Sequence, residues 1–218
     1  GETEPKDYYD WSTYKYCNGS SSTLTKYNNS SSYGTVDNKT QLELSDDAAH
    51  VNWGGAWRMP TKAEQDELRN NCTWRWTSQN GVNGYKVTST SNGNSIFLPA
   101  AGGRNGSSLI GAGSIGHCWS SSLDTGPHDA WEVYFYSGSV DRDYSYRYCG
   151  FSVRPVWGEY VMEETVPTII TTTVTQITET TAVAGGNVTI DGGAEVTERG
   201  VVCATTHNPT TADTKLVS

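Results

Sequence analysis

The sequence predicts an α+β domain over residues Gly1–Tyr160, followed by an all-β segment over Val161–Ser218. Three observations lead to this division. All 8 Trp, 13 Tyr and 3 Phe lie at or before Tyr160. Before this break, one amphipathic helical pattern, PTKAEQDELRNN, stands among short alternating apolar runs. After it, Thr- and Val-rich runs alternate between turn residues, which is typical of short β-strands in a sandwich.

Composition limits the kinds of protein this chain can be. Of 218 residues, 35% are hydrophobic, so the core must use Trp and Tyr more than Leu. A net charge of −9 disfavours nucleic acid as a partner, because like charges repel. No apolar run reaches the roughly 18 residues of a membrane span. The Ser/Thr/Asn/Gly-rich surface favours an extracellular protein, and the start at Gly1-Glu2-Thr3 is typical of an excised fragment.

Two helices and several strands are expected before Tyr160. Thr61 with Glu64 three positions later forms a capping box, and Leu68 should face the core. A second short helix is expected around Asp46–His50. Strands of a small, twisted, mostly antiparallel sheet are predicted at TWRWT, GYKVTS, SIFLPA, CWSSS, AWEVYFY and GFSVRPV. Long Gly/Ser/Asn loops at Asn18–Ser32 and Gly102–Gly116 indicate functional segments.

The second segment begins after a linker. Glu163-Glu164-Thr165 with Pro167 is typical of such a connection. About 50 residues are too few to close a sandwich core, so we expect open strand edges that another chain covers or that stay exposed. A closed seven-stranded sandwich would contradict this expectation.

The sequence lacks the usual signatures of catalysis. It has four histidines and no G-x-S-x-G elbow. Cys118 follows His117, but neighbours on a strand point to opposite faces and would not meet. The five cysteines include no C-x-x-C pair, and no phosphate loop or H-E-x-x-H motif occurs. We therefore predict no enzyme activity, no cofactor and no metal site.

Two carboxylate pairs have competing interpretations. Asp46 and Asp47 stand where a helix begins, and capping accounts for them. Asp141 and Asp143 have the spacing that shares one face of a strand. They could hydrogen-bond a sugar or bind calcium, but two ligands fall short of what calcium requires, and a solvated loop is the interpretation we favour.

A Tyr-rich stretch, Gly116–Trp157, holds ten aromatic residues. We assign most of Trp119, Trp131, Phe135, Phe151, Val153 and Val156 to the core. Tyr134 and Tyr136 should face away from Val133 and Phe135. Three tyrosines alternate with polar or charged residues further on: Tyr144, Tyr146 and Tyr148 with Asp143, Ser145 and Arg147. This combination of rings and polar groups resembles an antibody paratope. If these three tyrosines form a recognition row, at least two of the rings should be exposed, on the same face as Asp141 or Asp143. The alternative is plain packing, with the rings buried.

Four motifs give the chain a likeness to a known family. They occur in the order WGGAWRMPTKAEQDEL, SIFLPAAGGR, CWSSS and GFSVRPV. Together they resemble the Fibrobacter-type major paralogous domain family of secreted and surface proteins, related to the formylglycine-generating-enzyme-like branch of the C-type lectin fold. The resemblance implies a C-type-lectin-like domain over 1–160 and an extracellular or cell-surface location. It does not imply one ligand.

Further resemblances and departures accompany this one. The W-S-S…S-V-R-P-V frame is also similar to variable proteins of diversity-generating retroelements, in which altered Asn codons yield Tyr, Asp, Ser and His. The segment over 161–218 looks like a partial bacterial Ig-like or fibronectin-III-like repeat. Against the family pattern, the usual N-terminal strand is missing, and the paired catalytic cysteines of the enzyme relatives have no counterpart.

The lectin-like sheet implied by this resemblance suggests disulfides. It would make neighbours of the strands that follow Cys118 and Cys149, so these two residues are one candidate pair. Cys17 and Cys72 are the other. Cys203 is then left over and should be buried as a small hydrophobe.

These observations predict a bacterial ligand-binding module of adhesin or lectin type that recognises a glycan or a protein. The alternative is a structural envelope or pilus component without a specific ligand. Tyr rings would stack on a sugar or a protein epitope, while Asp, Asn and Arg fix its orientation. The candidate ligand-binding residues are Arg104, Asn105, His117, His128, Tyr134, Tyr136, Asp141, Asp143, Tyr144, Tyr146 and Tyr148.

Overall fold

A computed structural model describes residues 2–160, 167–190, 196–205 and 208–217. The chain forms two compact units, Gly1–Tyr160 and Val161–Ser218. It consists mostly of small antiparallel sheets with few helices, at 10% helix and 41% strand, which fits an α+β or mainly β class. The linker predicted at Glu163–Thr165 lies outside the described residues.

The first unit contains two α-helices and ten strands. The helices are α1 (Ala48–Trp53) and α2 (Lys62–Asn70), and 3₁₀ turns lie at Ser31–Tyr33 and Leu44–Asp46. The strands are β1 (Trp57–Arg58), β2 (Cys72–Gln79), β3 (Val82–Ser89), β4 (Ser95–Pro99), β5 (Gly103–Asn105), β6 (Ser108–Ile110), β7 (Ile115–Leu123), β8 (Asp129–Tyr136), β9 (Ser139–Tyr146) and β10 (Val156–Trp157).

Two three-stranded antiparallel sheets, β2-β3-β4 and β7-β8-β9, form the centre of this unit. A core cluster lies where they meet and includes Tyr85, Leu98, Val133 and Phe135. The strands β5 and β6 form a separate hairpin, and β1 pairs with β10.

Edge-to-face tyrosines build the second core cluster. The rings of Tyr14, Tyr16 and Tyr27 follow one another at centroid distances of 5.6 and 5.5 Å, and Trp119 belongs to the same cluster. Aromatic pairs prefer this geometry and bury large areas. Tyr and Trp therefore supply core area in this polar chain, as its composition requires. Of the residues assigned to the core, Trp119 and Phe135 are buried, while Trp131, Phe151, Val153 and Val156 are half-buried.

The predicted capping box is confirmed. The Thr61 hydroxyl accepts a hydrogen bond from the Glu64 amide at 3.2 Å, and the Glu64 carboxylate accepts one from the Thr61 amide at 2.9 Å. Leu68 packs against the core, as expected. Glu64 also pairs with Arg58, with 2.6 Å between Oε1 and Nη2.

Replacing Thr61 by alanine should lower the free energy of unfolding by about 1 kcal/mol, because the Glu64 amide loses its partner. Urea titration followed by Trp fluorescence measures this directly, since every Trp lies in the first unit. A Thr73→Ala variant, exposed on β2, is the control and should change stability by less than about 0.5 kcal/mol. Equal losses in the two variants would contradict the capping role.

The predicted short helix is present as α1, but its two aspartates differ in role. Asp47 caps it, accepting hydrogen bonds from the amides of Ala49 and His50. Asp46 instead accepts from Lys26 Nζ and from the Tyr27 hydroxyl. Capping therefore accounts for one member of the pair, and the other anchors the segment around Tyr27.

The contacts of Asp46 predict that its contribution to the free energy of unfolding is lost in acid. Burial alone would raise the pKa of Asp46, but hydrogen bonds from Lys26 and Tyr27 hold it below its ordinary value of 3.8. Because the folded pKa is the lower one, ionised Asp46 stabilises the fold fully above 3.8 and loses this effect as pH falls through the folded pKa. Asp46→Asn should cost about 1–3 kcal/mol at neutral pH and progressively less in acid. A difference between the two proteins that stays constant down to about pH 2 would contradict this account.

Neither predicted disulfide is present. For Cys118 and Cys149 the reason is the alternation of side chains along β7. Cys118 and Trp119 are consecutive in β7 and therefore point to opposite faces. Cys118 is buried in the cluster between the two sheets, whereas Cys149 packs beside Trp119, whose Nε1 donates to the Cys149 carbonyl at 3.3 Å. Cys118 and Cys149 therefore belong to different clusters, and both are free thiols.

The remaining cysteines are also free. Cys17 packs against the tyrosine cluster and Cys72 against the cluster between the sheets, so they too are separated. Cys203 is exposed, and its predicted burial is wrong. The second unit supplies no buried side chain among its described residues that could enclose it.

The described residues of the second unit form two separate antiparallel strand pairs. These are β11 (Thr168–Thr171) with β12 (Gly186–Ile190), and β13 (Gly200–Cys203) with β14 (Thr214–Val217). Its described residues do not form a closed seven-stranded sandwich, and each pair has no further hydrogen-bonded strand among them. That another chain covers these edges stays a prediction.

Candidate functional site

The β7-β8-β9 sheet has two chemically different faces. On one, Val133 and Phe135 of β8 are buried between the two central sheets. On the other lie Glu132, Tyr134 and Tyr136, because successive side chains alternate. We call this second side the Glu132 face. The predicted separation of Tyr134 and Tyr136 from Val133 and Phe135 is confirmed.

A buried polar group lies at the centre of the Glu132 face. Glu132 is 1% exposed, and its two carboxylate oxygens have different partners. His117 Nδ1 lies 2.7 Å from Oε2, and the Ser145 hydroxyl donates to Oε1 at 2.8 Å. The three residues come from β7, β8 and β9, and the strand register brings them together. Because both oxygens have partners, the carboxylate is satisfied despite its burial.

An aromatic ring and a glycine fix the position of His117. Its imidazole stacks on Phe151 with 4.1 Å between centroids and 15° between planes. A Cβ at Gly103 would lie 2.5 Å from the Phe151 ring and 3.3 Å from His117. Glycine therefore allows β5 to approach these rings closely, and His117 is held on two sides.

A cavity of about 440 Å³ opens beside this group, between the β5–β6 hairpin and the end of β9. We call it the β9 cavity. It offers aromatic, cationic, anionic and amide side chains together. Its walls are Gly103, Arg104, Asn105, Ile110, His117, Asp129, Tyr144, Ser145, Tyr146, Cys149 and Phe151. Five of the predicted binding residues are among them: Arg104, Asn105, His117, Tyr144 and Tyr146.

Two of the three row tyrosines are exposed, as predicted. Tyr144 is 53% and Tyr146 51% exposed. Tyr148 is half-buried, with its ring 5.2 Å from that of Trp11 and 5.5 Å from that of Tyr146. Since β9 ends at Tyr146, Tyr148 lies in the following turn and does not continue the row.

The prediction that these rings share a face with Asp141 or Asp143 is wrong. Tyr144 lies opposite Trp131 in the register, whereas Asp143 lies opposite Glu132. Side chains directly opposite on neighbouring strands share a face. Asp141 and Asp143 are exposed on the Glu132 face, and neither lines the β9 cavity.

Three other predicted residues lie outside the cavity. The His128 ring is 4.5 Å from that of Tyr33, and its Nε2 lies 3.0 Å from the Ser21 carbonyl oxygen. Tyr134 is half-buried beside His117, with 5.1 Å between ring centroids. Tyr136 is exposed near the end of β8.

The acidic residue Asp129 supplies a carboxyl group to the cavity wall. Its burial raises its pKa above the ordinary value, partly offset by His128 and Arg147. The Arg104 amide donates to the Gly150 carbonyl at 2.8 Å and the Gly150 amide donates to the Arg104 carbonyl at 3.0 Å, so the hairpin is tied to the segment that follows β9. The wall therefore carries donors, acceptors and rings in positions fixed by neighbouring residues.

Sequence reasoning missed Glu132, Ser145 and Asp129 as parts of this site. One signal was present: Glu132 interrupts the apolar strand AWEVYFY, where a charged residue requires a partner. The partners, His117 and Ser145, are 15 and 13 positions away in the sequence and could not be assigned without the strand register.

The arrangement does not form a Cys–His pair. His117 lies on the Glu132 face, whereas the Cys118 thiol is buried on the opposite face, where burial raises its pKa to about 12. Within the described ranges, no three His, Cys, Asp or Glu side chains are grouped so as to hold a metal ion. No helix in the described part of the chain is long and apolar enough to cross a membrane.

Comparison with protein-family models, with curated proteins and with solved structures finds no match to this chain.

Proposed function

We propose that this protein is a ligand-binding module of adhesin or lectin type, and that its β9 cavity and the adjoining tyrosines recognise a glycan or a protein loop. The observation that carries the proposal is the cavity of about 440 Å³, which has Tyr144 and Tyr146 in its wall; both side chains are about half exposed. Ligand sites typically have about 300–1,000 Å³ and combine apolar walls with a few oriented polar groups.

The chemistry of the walls suits a carbohydrate or a polar loop. The ring of Tyr146, 5.5 Å from that of Tyr148, offers flat apolar area to a sugar face at the end of β9, and exposed Arg104 and Asn105 of β5 provide hydrogen-bond donors. His117 is oriented by Glu132 and packed on Phe151, so binding would require little reordering of this side chain.

The location and the finer fold belong to the same proposal. The four motifs quoted above support a C-type-lectin-like first unit on a secreted or surface-displayed bacterial protein. The second unit would then be a partial Ig-like spacer. The acidic charge and the Ser/Thr/Asn-rich surface are compatible with this location.

Replacing Tyr144 and Tyr146 together by alanine should abolish ligand binding while changing the free energy of unfolding by no more than about 0.5 kcal/mol per site. The measurement is a glycan and protein array probed with the labelled full chain and with the double variant, alongside urea titrations of both. A double Tyr→Phe variant keeps the rings and should retain most binding if stacking dominates.

The matched control is Trp53→Ala, which removes an exposed aromatic ring from α1 and leaves the cavity intact. It should bind like the unchanged protein. Absence of any array ligand, or equal losses for Trp53→Ala and the tyrosine pair, would overturn the proposal. Absence of a ligand would favour the structural alternative, an envelope or pilus component.

A further inference from the structure

Arg147, in the turn after β9, is a buried cation with incomplete pairing. It is 7% exposed, and among the described residues only one of its three side-chain nitrogens has a hydrogen-bond acceptor. Its Nη1 donates to the Tyr27 carbonyl at 2.9 Å, and its Cζ lies 5.5 Å from the centre of the Tyr14 ring. In the sequence, Arg147 stands out only as a charged residue between Tyr146 and Tyr148, whereas the structure places it against the tyrosine cluster.

The two remaining nitrogens of Arg147 have no hydrogen-bond partner in the described ranges. Arg147 Nε and Nη2 are buried and make no hydrogen bond within the part of the chain that the structure describes. Buried polar groups are nearly always hydrogen-bonded, and buried charges are paired. Nε and Nη2 form the side edge of the guanidinium, whose parallel N–H bonds match the two oxygens of a carboxylate.

A second cavity, of about 370 Å³, has Arg147 in its wall. We call it the Arg147 cavity. Its other walls are mainly apolar and aromatic, including Leu42, Met59, Trp119 and Phe151. The volume falls in the range of roughly 300–1,000 Å³ typical of small-molecule sites. A cationic fork within apolar walls fits a carboxylate attached to an apolar body.

The other charged residues in the wall are Glu2, Glu4 and Arg104. Glu2 is already engaged, with its Oε2 2.7 Å from Lys6 Nζ and its Oε1 accepting from the Lys15 amide at 3.0 Å. Asp129 lies close enough for Arg147 to lower its pKa, against the larger effect of burial. These carboxylates would repel a phosphate dianion more than a monoanion, so the surroundings favour a single carboxylate.

We propose that the Arg147 cavity binds a small aromatic or branched aliphatic carboxylate through the Nε and Nη2 edge of Arg147. This site is independent of the proposed function. It shares only Arg104, Cys149 and Phe151 with the β9 cavity, and the tyrosines Tyr144 and Tyr146 are not in its wall.

The experiment uses the full chain with benzoate and its neutral analogue benzamide, measured by isothermal titration calorimetry. Benzoate should bind at least about tenfold more tightly than benzamide, since hydrogen bonds to a charged partner are the stronger ones. Arg147→Lys should remove this preference, and Arg75→Gln, which removes an exposed cation of β2 outside both cavities, should keep it. Equal affinities for the two compounds, or a preference that persists in Arg147→Lys, would overturn the proposal.

A crystal of the unchanged protein grown with 4-bromobenzoate decides the question even if Arg147 variants fail to fold. The anomalous signal of bromine should lie in the Arg147 cavity, with the carboxylate on Nε and Nη2. Bromine at another place, or a cavity that holds ordered water only, would contradict the proposed site.

Discussion

Replacing Phe135 by alanine should lower the free energy of unfolding by about 3–5 kcal/mol, the cost of truncating a large core aromatic. Its side chain is 0% exposed and packs against the rings of Tyr85 and Trp74 at centroid distances of 5.7 and 6.4 Å. Its neighbour on β7 is Gly116, which has no side chain; a Cβ there would lie 2.0 Å from the Phe135 ring. The truncation therefore leaves a cavity that no side chain at position 116 fills. Urea titration with Trp fluorescence gives the loss for the first unit alone, because the second unit has no aromatic residue.

Tyr136→Ala provides the matched control for Phe135→Ala. Tyr136 is the next residue of β8 but is exposed on the opposite face, so its truncation should cost less than about 0.5 kcal/mol. A Gly116→Ala variant should also destabilise, and adding Phe135→Leu should relieve part of that loss, because the added methyl gains room. Comparable losses for Phe135→Ala and Tyr136→Ala would contradict the assignment of the two faces.

Glu132→Ala should cost about 1–3 kcal/mol, the cost of leaving buried hydrogen-bonding groups without their acceptor. The change leaves His117 Nδ1 and the Ser145 hydroxyl without their shared acceptor. It should also weaken ligand binding, because the imidazole at the wall of the β9 cavity loses its orienting contact. Urea titration measures the first effect, and titration with the array ligand measures the second.

Two further variants test the specificity of this effect. Glu132→Gln keeps the shape and one carbonyl acceptor, so its loss should be smaller than that of alanine. Asp143→Ala removes an exposed carboxylate from the neighbouring position of the same face and should change stability by no more than about 0.5 kcal/mol. If Asp143→Ala costs as much as Glu132→Ala, the buried group has no special role.

Local rules made part of the structure predictable from sequence. The capping box at Thr61 and the two-residue alternation of β8 depend on residues within a few positions, and both are present. The end of a strand is less certain, and this is why Tyr148 was wrongly included in an extended row. Arg147 could not have been identified, because its burial results from residues of Tyr14 to Tyr27, far away in the sequence.

In the candidate site, too, the residue types could be predicted from the sequence, but the contacts between them could not. Arg104, Asn105, His117, Tyr144 and Tyr146 were selected by residue type and they line one cavity. The contacts that orient them come from register: β8 brings Glu132 between His117 of β7 and Ser145 of β9. Sequence spacing does not specify which residues of three strands lie side by side.

The most direct test of the proposed binding site is amide hydrogen exchange of the full chain, with and without the strongest ligand from the array. Ligand in the β9 cavity should slow exchange in the β5–β6 hairpin (103–110) and in β9 and its following turn (139–149), where the cavity walls lie. Exchange in the β2-β3-β4 sheet should stay unchanged, because none of its residues lines this cavity. Protection confined to that sheet or to the second unit would contradict the account.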